Sequence, residues 1–219
     1  MHANPFTLPF DRLPVSLPIF PLPGTIVMPG APLPLNIFEP RYLNMIVDAL
    51  AEDRMIGMVQ PDPAAKDPRG EAIYRTGTAG RITAFNETRD GRFLIRLTGI
   101  CRFDIQEEVP TVRGYRRVVA DWSRFAVDYE TGGRVPERRD LLDRLKAYAA
   151  AHRLQIEWDA LRPLDDLALV NVLTTMLPLD VEDKQAIVES VTLEDRARLL
   201  GALLEIAQSP FEAGPGRPH

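Results

Sequence analysis

Cysteine, histidine, lysine and serine are all scarce in this chain, and each shortage excludes something. The 219 residues contain one cysteine, Cys101, so no internal disulfide framework exists and a reducing compartment suits the protein. Of three histidines, His2 and His219 lie in the tails, so a Ser/His or Cys/His catalytic arrangement would have to run through His152. The four serines (Ser16, Ser123, Ser190 and Ser209) include none in a G-x-S-x-G elbow. No CxxC pair, HxxxH pair or G-x-x-x-x-G-K-[ST] loop occurs, so no metal, nucleotide or other cofactor is expected. No apolar run approaches the roughly 18 to 20 residues of a membrane span. The opening MHANPFTLPFDRLP lacks a basic start followed by an apolar core, which reads as no export signal and a soluble, cytoplasmic protein.

What is present is ordinary globular material: 45% apolar and 26% charged residues, with a formal net charge of −5. A chain of this size buries about 70% of its open-chain surface, enough to fold without a metal or disulfide. The charge is uneven. Residues 1–135 carry 16 acidic and 16 basic side chains, whereas residues 136–208 carry 14 and 9. Neither part is a broad cationic surface of the kind that attracts nucleic acid without sequence preference.

Nine prolines fall between Pro5 and Pro34, among large apolar residues such as Ile19, Phe20, Val27 and Ile37. Because proline fixes φ and donates no hydrogen bond, the segment is expected to form short edge strands broken by extended turns, within a core. From Pro40 the period becomes helical, with Tyr42, Met45, Ile46 and Ala49 opposite Arg41, Asn44 and Asp48. Met55–Gln60 reads as a strand, Pro61–Arg69 as a mobile polar loop, and Thr78–Phe85 as a strand running to a turn at Asp90-Gly91. Beyond it Phe93, Ile95, Leu97, Cys101, Phe103 and Ile105 share one parity, while Arg92, Arg96, Arg102 and Asp104 share the other. Gly99 suggests a bulge or a bend in a curved sheet, and Val112–Trp122 reads as a further strand.

After Thr131-Gly132-Gly133 the chain turns helical. Helices are expected at about 136–151, 164–176, 181–189 and 193–208, with Asp180 and the Thr192-x-x-Asp195 capping box at two of their starts. The fold class is therefore α+β. A barrel-like antiparallel β domain with one helix (15–125) precedes a helical bundle (135–208), and tails cover 1–14 and 209–219.

Leu17-Pro18-Ile19-Phe20-Pro21-Leu22, then Val27-Met28-Pro29-Gly30 and Leu33-Pro34-Leu35, resembles the opening of the N-terminal, substrate-binding domain of Lon proteases. Gly77-Thr78-Ala79-Gly80-Arg81-Ile82 and Leu97-Thr98-Gly99-Ile100-Cys101-Arg102 resemble two strands of that family. Residues 179–200, with Gln185 and Arg196, resemble its helical part. The resemblance implies a PUA-like barrel followed by a bundle that helps recognise unfolded substrates. It does not bring the family's ATPase and Ser–Lys protease chemistry, whose motifs are missing, so a stand-alone, non-catalytic substrate-binding protein is expected.

The expected work is surface recognition of unfolded or apolar protein segments, or of a protein partner, in an adaptor or regulator of proteolysis. Candidate peptide-binding residues are Phe20, Met28, Leu33, Phe38 and Tyr42, near strands whose edges an extended peptide could join. Met28 and Phe38, beside Pro29–Pro34, are favoured. The alternative is RNA binding through Arg113, Tyr115, Arg116 and Arg117, a mixture of charge and stacking surface used by single-strand binders on PUA-like barrels. Against it stand a neutral β half and a mildly acidic whole, and strand arginines facing water and paired with nearby acids are the plainer reading. Cys101 is read as a buried apolar residue, and the carboxylates at Asp165-Asp166, Asp180/Glu182/Asp183 and Glu194-Asp195 as helix starts.

Overall fold

The structure, a computed structural model, describes residues 8–67, 70–130 and 133–207. The expected boundary at Thr131-Gly132, the loop residues Pro68 and Arg69, the helix end at Gln208 and the tail from Ser209 lie outside the described residues.

The order is β1 (Ser16–Pro21), β2 (Pro32–Ile37), α1 (Pro40–Ala51), β3 (Met55–Val59), β4 (Thr76–Glu87), β5 (Phe93–Val109) and β6 (Arg116–Asp121). A 3-10 segment, Ser123–Tyr129, leads to α2 (Arg138–Ala151), α3 (Trp158–Leu161), α4 (Asp166–Met176), α5 (Val181–Glu189) and α6 (Leu193–Ile206). The strands form one sheet in the order β2–β5–β4–β3–β1–β6, and β6 returns to pair with β5. The length of β5 makes this possible. Its start, Phe93–Thr98, pairs with β2, and its end, Asp104–Val109, pairs with β6. Five strands thus close a ring at one end while β2 takes the place of β6 at the other, leaving a partial barrel.

The sheet is mixed rather than wholly antiparallel, because β1 and β3 run parallel. A parallel pair needs a long crossover, which the β2–α1 excursion supplies. Nor is β1 an edge strand: its first half pairs with β6 and its second with β3. The expectation of proline-rich edges holds only for β2. The strand expected from Val112 begins at Arg116. Gly114, at φ +84°, turns the chain there, and Val112 is fully exposed.

Alternation along β5 feeds two clusters. Ile95 and Leu97 join Tyr42, Met45 and Ile46 beneath α1, while Cys101, Phe103 and Ile105 pack with Leu17, Ile19 and Phe125. A bulge at Ile100 separates them, since Ala79 and Gly80 on β4 oppose Cys101 and Gly99. Gly99 is required here: a Cβ on it would lie 2.1 Å from the Met28 carbonyl oxygen.

The helices bury a third cluster, with Leu141, Leu145, Leu169, Leu173 and Leu200 at its centre. Thr192 caps α6 as expected, accepting from the Asp195 N–H at 3.1 Å. Asp180 sits at the start of α5 without a side-chain cap bond, whereas Asp165 accepts from the Ala168 N–H and caps α4. A fourth cluster joins sheet to helices, setting Ile26, Met28 and Ala31 against Val188. Polar bonds reinforce that contact. The Met28 N–H donates to Thr175 Oγ1 at 3.1 Å, Asn171 Nδ2 to the Pro29 carbonyl at 2.9 Å, and Lys184 Nζ to the Gly24 carbonyl at 2.8 Å.

Candidate functional site

The proposed apolar surface must be redrawn. Met28 is completely buried, and Phe20, Leu33 and Tyr42 are also core residues. Phe20 and Tyr42 stack at 4.2 Å between ring centres, and Leu33 shares their cluster. Hydrophobic burial claims all four, so none offers a surface to a peptide. Phe38 alone of the five is exposed, at 62%.

Phe38 has exposed apolar company that the sequence reading did not name. Where β2, β5 and β4 run side by side, Ile37 lies opposite Phe93, and Ile95 opposite Phe85. Phe85 and Leu94 are each 43% exposed. The Phe85 and Phe93 rings meet edge-on at 5.0 Å. Leu94 pairs with Asn36 and Asn86, which puts it on the opposite face of the sheet from Phe85. The end of this three-stranded segment therefore carries apolar side chains on both faces, next to the chain leaving β2 at Phe38. A signal for it existed: Phe85 and Phe93 flank the Asp90-Gly91 turn, and the register sets them diagonally across β4 and β5.

The β2 edge beside this tip suits strand addition poorly. Pro32 and Pro34 have no N–H, so the edge lacks donors at both positions. Recognition here must rest on side chains.

The arginine group is neutralised. Arg113 pairs with Asp48 at 3.0 Å, and Arg117 with Glu52 at 2.8 Å. Arg116 holds Glu108 and the Glu71 carbonyl. Tyr115 is buried, and its hydroxyl donates to Asp48 at 2.8 Å. Burial, first, and the Asp48 carboxylate push the Tyr115 phenol above its ordinary range. No free stacking platform remains at that residue.

Nucleophile candidates are similarly committed. Cys101 is buried, and burial raises its thiol pKa far above the usual value, Asp128 adding to the effect. His152 stacks on Tyr148 at 4.2 Å and sets Nε2 3.0 Å from the Ala207 carbonyl. Ser190 Oγ donates to the Ala186 carbonyl, and Ser16 Oγ accepts from Arg117. Among the described residues no group of three His, Cys, Asp or Glu side chains could hold a metal ion.

The largest departure from the sequence reading is Arg102. Its strand parity groups it with the water-facing Arg92 and Arg96, yet its side chain is wholly buried. Its Nε and Nη2 grip the buried Asp128 carboxylate in bidentate fashion at 3.0 and 2.7 Å. Nη1 donates to the Val188 carbonyl and Nη2 to the Val191 carbonyl, both at 3.0 Å. Arg196 approaches the same carboxylate at 3.9 Å, and burial, with Arg102 adding, depresses its pKa. The Ser123–Tyr129 segment and the α5–α6 connection cover this face of the strand. The network positions elements.

A partial barrel fastened to a group of helices is a fold shared with Lon N-terminal domains. The Lon N-terminal domain protein of Xanthomonas campestris matches with a TM-score of 0.61 at 22% identity, over 85% of this chain and 97% of that one. The N-terminal domain of the Mycobacterium avium complex Lon protease matches with a TM-score of 0.63 at 18% identity, over 87% and 98%. The family model for the ATP-dependent protease La (LON) substrate-binding domain matches residues 16–205, and the chain belongs to that family. Among whole-length relatives, Lon protease 2 of Myxococcus xanthus is 29% identical over 211 residues, covering 92% of this chain and 25% of the relative. The Lon protease of Flavobacterium johnsoniae is 28% identical over 192 residues, with coverages of 85% and 23%. The chain thus spans about a quarter of the length of the curated relatives it matches. No helix among the described residues is long and apolar enough to cross a membrane.

Proposed function

We propose that this chain is a non-catalytic recognition module that holds unfolded or apolar polypeptide segments, serving proteolysis as an adaptor or regulator. The observation that carries the reading is the exposed tip of β2, β4 and β5, with Phe85 and the half-buried Phe93 on one face, Leu94 on the other, and Phe38 on the chain leaving β2. Exposed apolar side chains gathered at one end of a sheet mark an interaction surface. Membership of a substrate-binding-domain family points the same way. The barrel fixes the tip's geometry, and the contact with the helices holds the barrel.

The test is binding of a permanently unfolded protein, such as reduced and carboxymethylated α-lactalbumin, followed by fluorescence anisotropy. Phe38→Asp and Phe85→Asp are expected to weaken binding at least roughly tenfold, with little change in melting temperature. Affinity should survive moderate salt, since apolar contact is not screened. Unaltered binding in both variants would sink the assignment, as would tighter binding of single-stranded RNA that fell steeply with salt.

A further inference from the structure

A second surface lies on the helical part, away from the tip. One stripe of α2, together with α3 and the turn between them, lines a groove of about 850 Å³. Leu142, Leu154, Trp158 and Leu161 supply its apolar lining, each only partly buried. Arg138, Lys146, Arg153 and Arg162 stand around it, and no carboxylate belongs to its wall. That concentration is out of character for the region, because residues 136–208 carry 14 acidic and only 9 basic side chains. Four of those nine cations line this one groove.

The end of α2 builds the groove. Leu154 donates its N–H to the Ala149 carbonyl at 2.9 Å, closing the helix with a Schellman-type turn, and Arg153 takes the left-handed position at φ +54°. The turn folds Leu154 and Trp158 back along the helix. Arg138 is held rigidly at the other end, donating to Asp166 at 2.6 Å and to the Leu164 carbonyl at 2.9 Å. Among the described residues Lys146 and Arg162 pair only with the exposed Asp143 and Asp159, in contacts that water screens and a better partner displaces. Among the described residues the Arg153 guanidinium has no partner.

We propose that this groove docks a linear segment of a partner polypeptide in which apolar side chains alternate with carboxylates. The charge layout selects that occupant. From Arg138 to Arg153 the rim follows α2 for about 22 Å, at 1.5 Å per residue. A single anionic headgroup on an aliphatic chain meets one end of such a rim, whereas carboxylates spaced along a peptide meet all of it. Trp158 provides a large, stiff apolar contact of the kind that anchors peptide interfaces. The site differs from the β-sheet tip in both position and chemistry, since its affinity is electrostatically assisted.

The experiment measures anisotropy of a short fluorescent peptide of alternating glutamate and leucine against the full chain. The expected results are saturable binding, weakened at least roughly tenfold by the double substitution Lys146→Glu/Arg153→Glu, by Trp158→Ala, and by replacing the peptide's glutamates with lysine. Both charge-reversed residues are exposed, so the double variant should keep its melting temperature. Phe85→Asp should leave this binding intact, which separates the groove from the apolar tip. Equal binding of the lysine peptide, indifference to the double substitution, or no binding at all overturns the proposal. So does a groove that takes dodecanoate while refusing the peptide.

Discussion

At the scale of single residues, Arg102 and Asp128 set the terms on which sheet and helices meet. The guanidinium reaches carbonyls at and beyond the end of α5, where a cation offsets the helix dipole and satisfies orphan acceptors. Asp128 keeps that arrangement viable, because Arg102 and Arg196 would otherwise face each other in a buried site. Asp128→Asn is expected to lower stability by about 3–5 kcal/mol, the usual penalty for breaking a buried pair from one side. Urea unfolding measures this, and a loss below about 1 kcal/mol would refute the role assigned to the carboxylate. None of it was legible in the sequence. Alternation counted from Arg92 and Arg96 puts Arg102 on the water side, but the bulge at Ile100 reverses the faces of β5, and the distant Ser123–Tyr129 segment helps enclose the side chain. The tip was half legible for the same reason: Phe38 reads as apolar in any context, whereas the burial of Met28 depends on Val188, 160 positions later.

At the scale of elements, β5 is the organiser, and its bulge was readable from a single residue. Gly99 breaks a run of large side chains, and a glycine inside a strand signals a close backbone approach. The approaching segment is Met28–Ala31. Gly30 donates to the Gly99 carbonyl at 2.9 Å, and the Gly99 N–H returns to the Ala31 carbonyl at 3.0 Å. Gly99→Ala should therefore push away the same residues that meet the helices through Met28 and Pro29. A loss of about 3 kcal/mol or more is expected, with a lowered melting temperature in calorimetry. A variant as stable as the parent would show that the close approach is not needed. The long helices were readable because their caps and periodicity are local. The four-residue α3 was not, since so short a turn is held by packing of Trp158 and Leu161 on its neighbours rather than by propensity.

At the scale of the whole molecule, the apolar and polar seam between sheet and helices decides how the chain unfolds. Gln185 lies at its centre: its Nε2 donates to the Thr76 carbonyl at 3.1 Å, and its Oε1 accepts from Gln60 at 3.2 Å. Gln60 also donates to the Val181 carbonyl at 2.9 Å. Tryptophan fluorescence and far-ultraviolet circular dichroism should consequently report one coincident transition. Gln185→Ala, which takes the side-chain donor from the Thr76 carbonyl and leaves the Gln60 amide only its Val181 acceptor, should separate the two signals; coincidence retained in the variant would mean the halves are coupled elsewhere. The barrel-like sheet was expected from the short, curved strands, but how it closes was not, because that depends on one strand long enough to serve two neighbours in succession. The proline-lined outer side of β2 has its own consequence. A module proposed to hold unfolded segments is exposed to being recruited into their fibres, and a border bare of amide hydrogens at two successive alternate positions gives a growing fibre no ladder to climb.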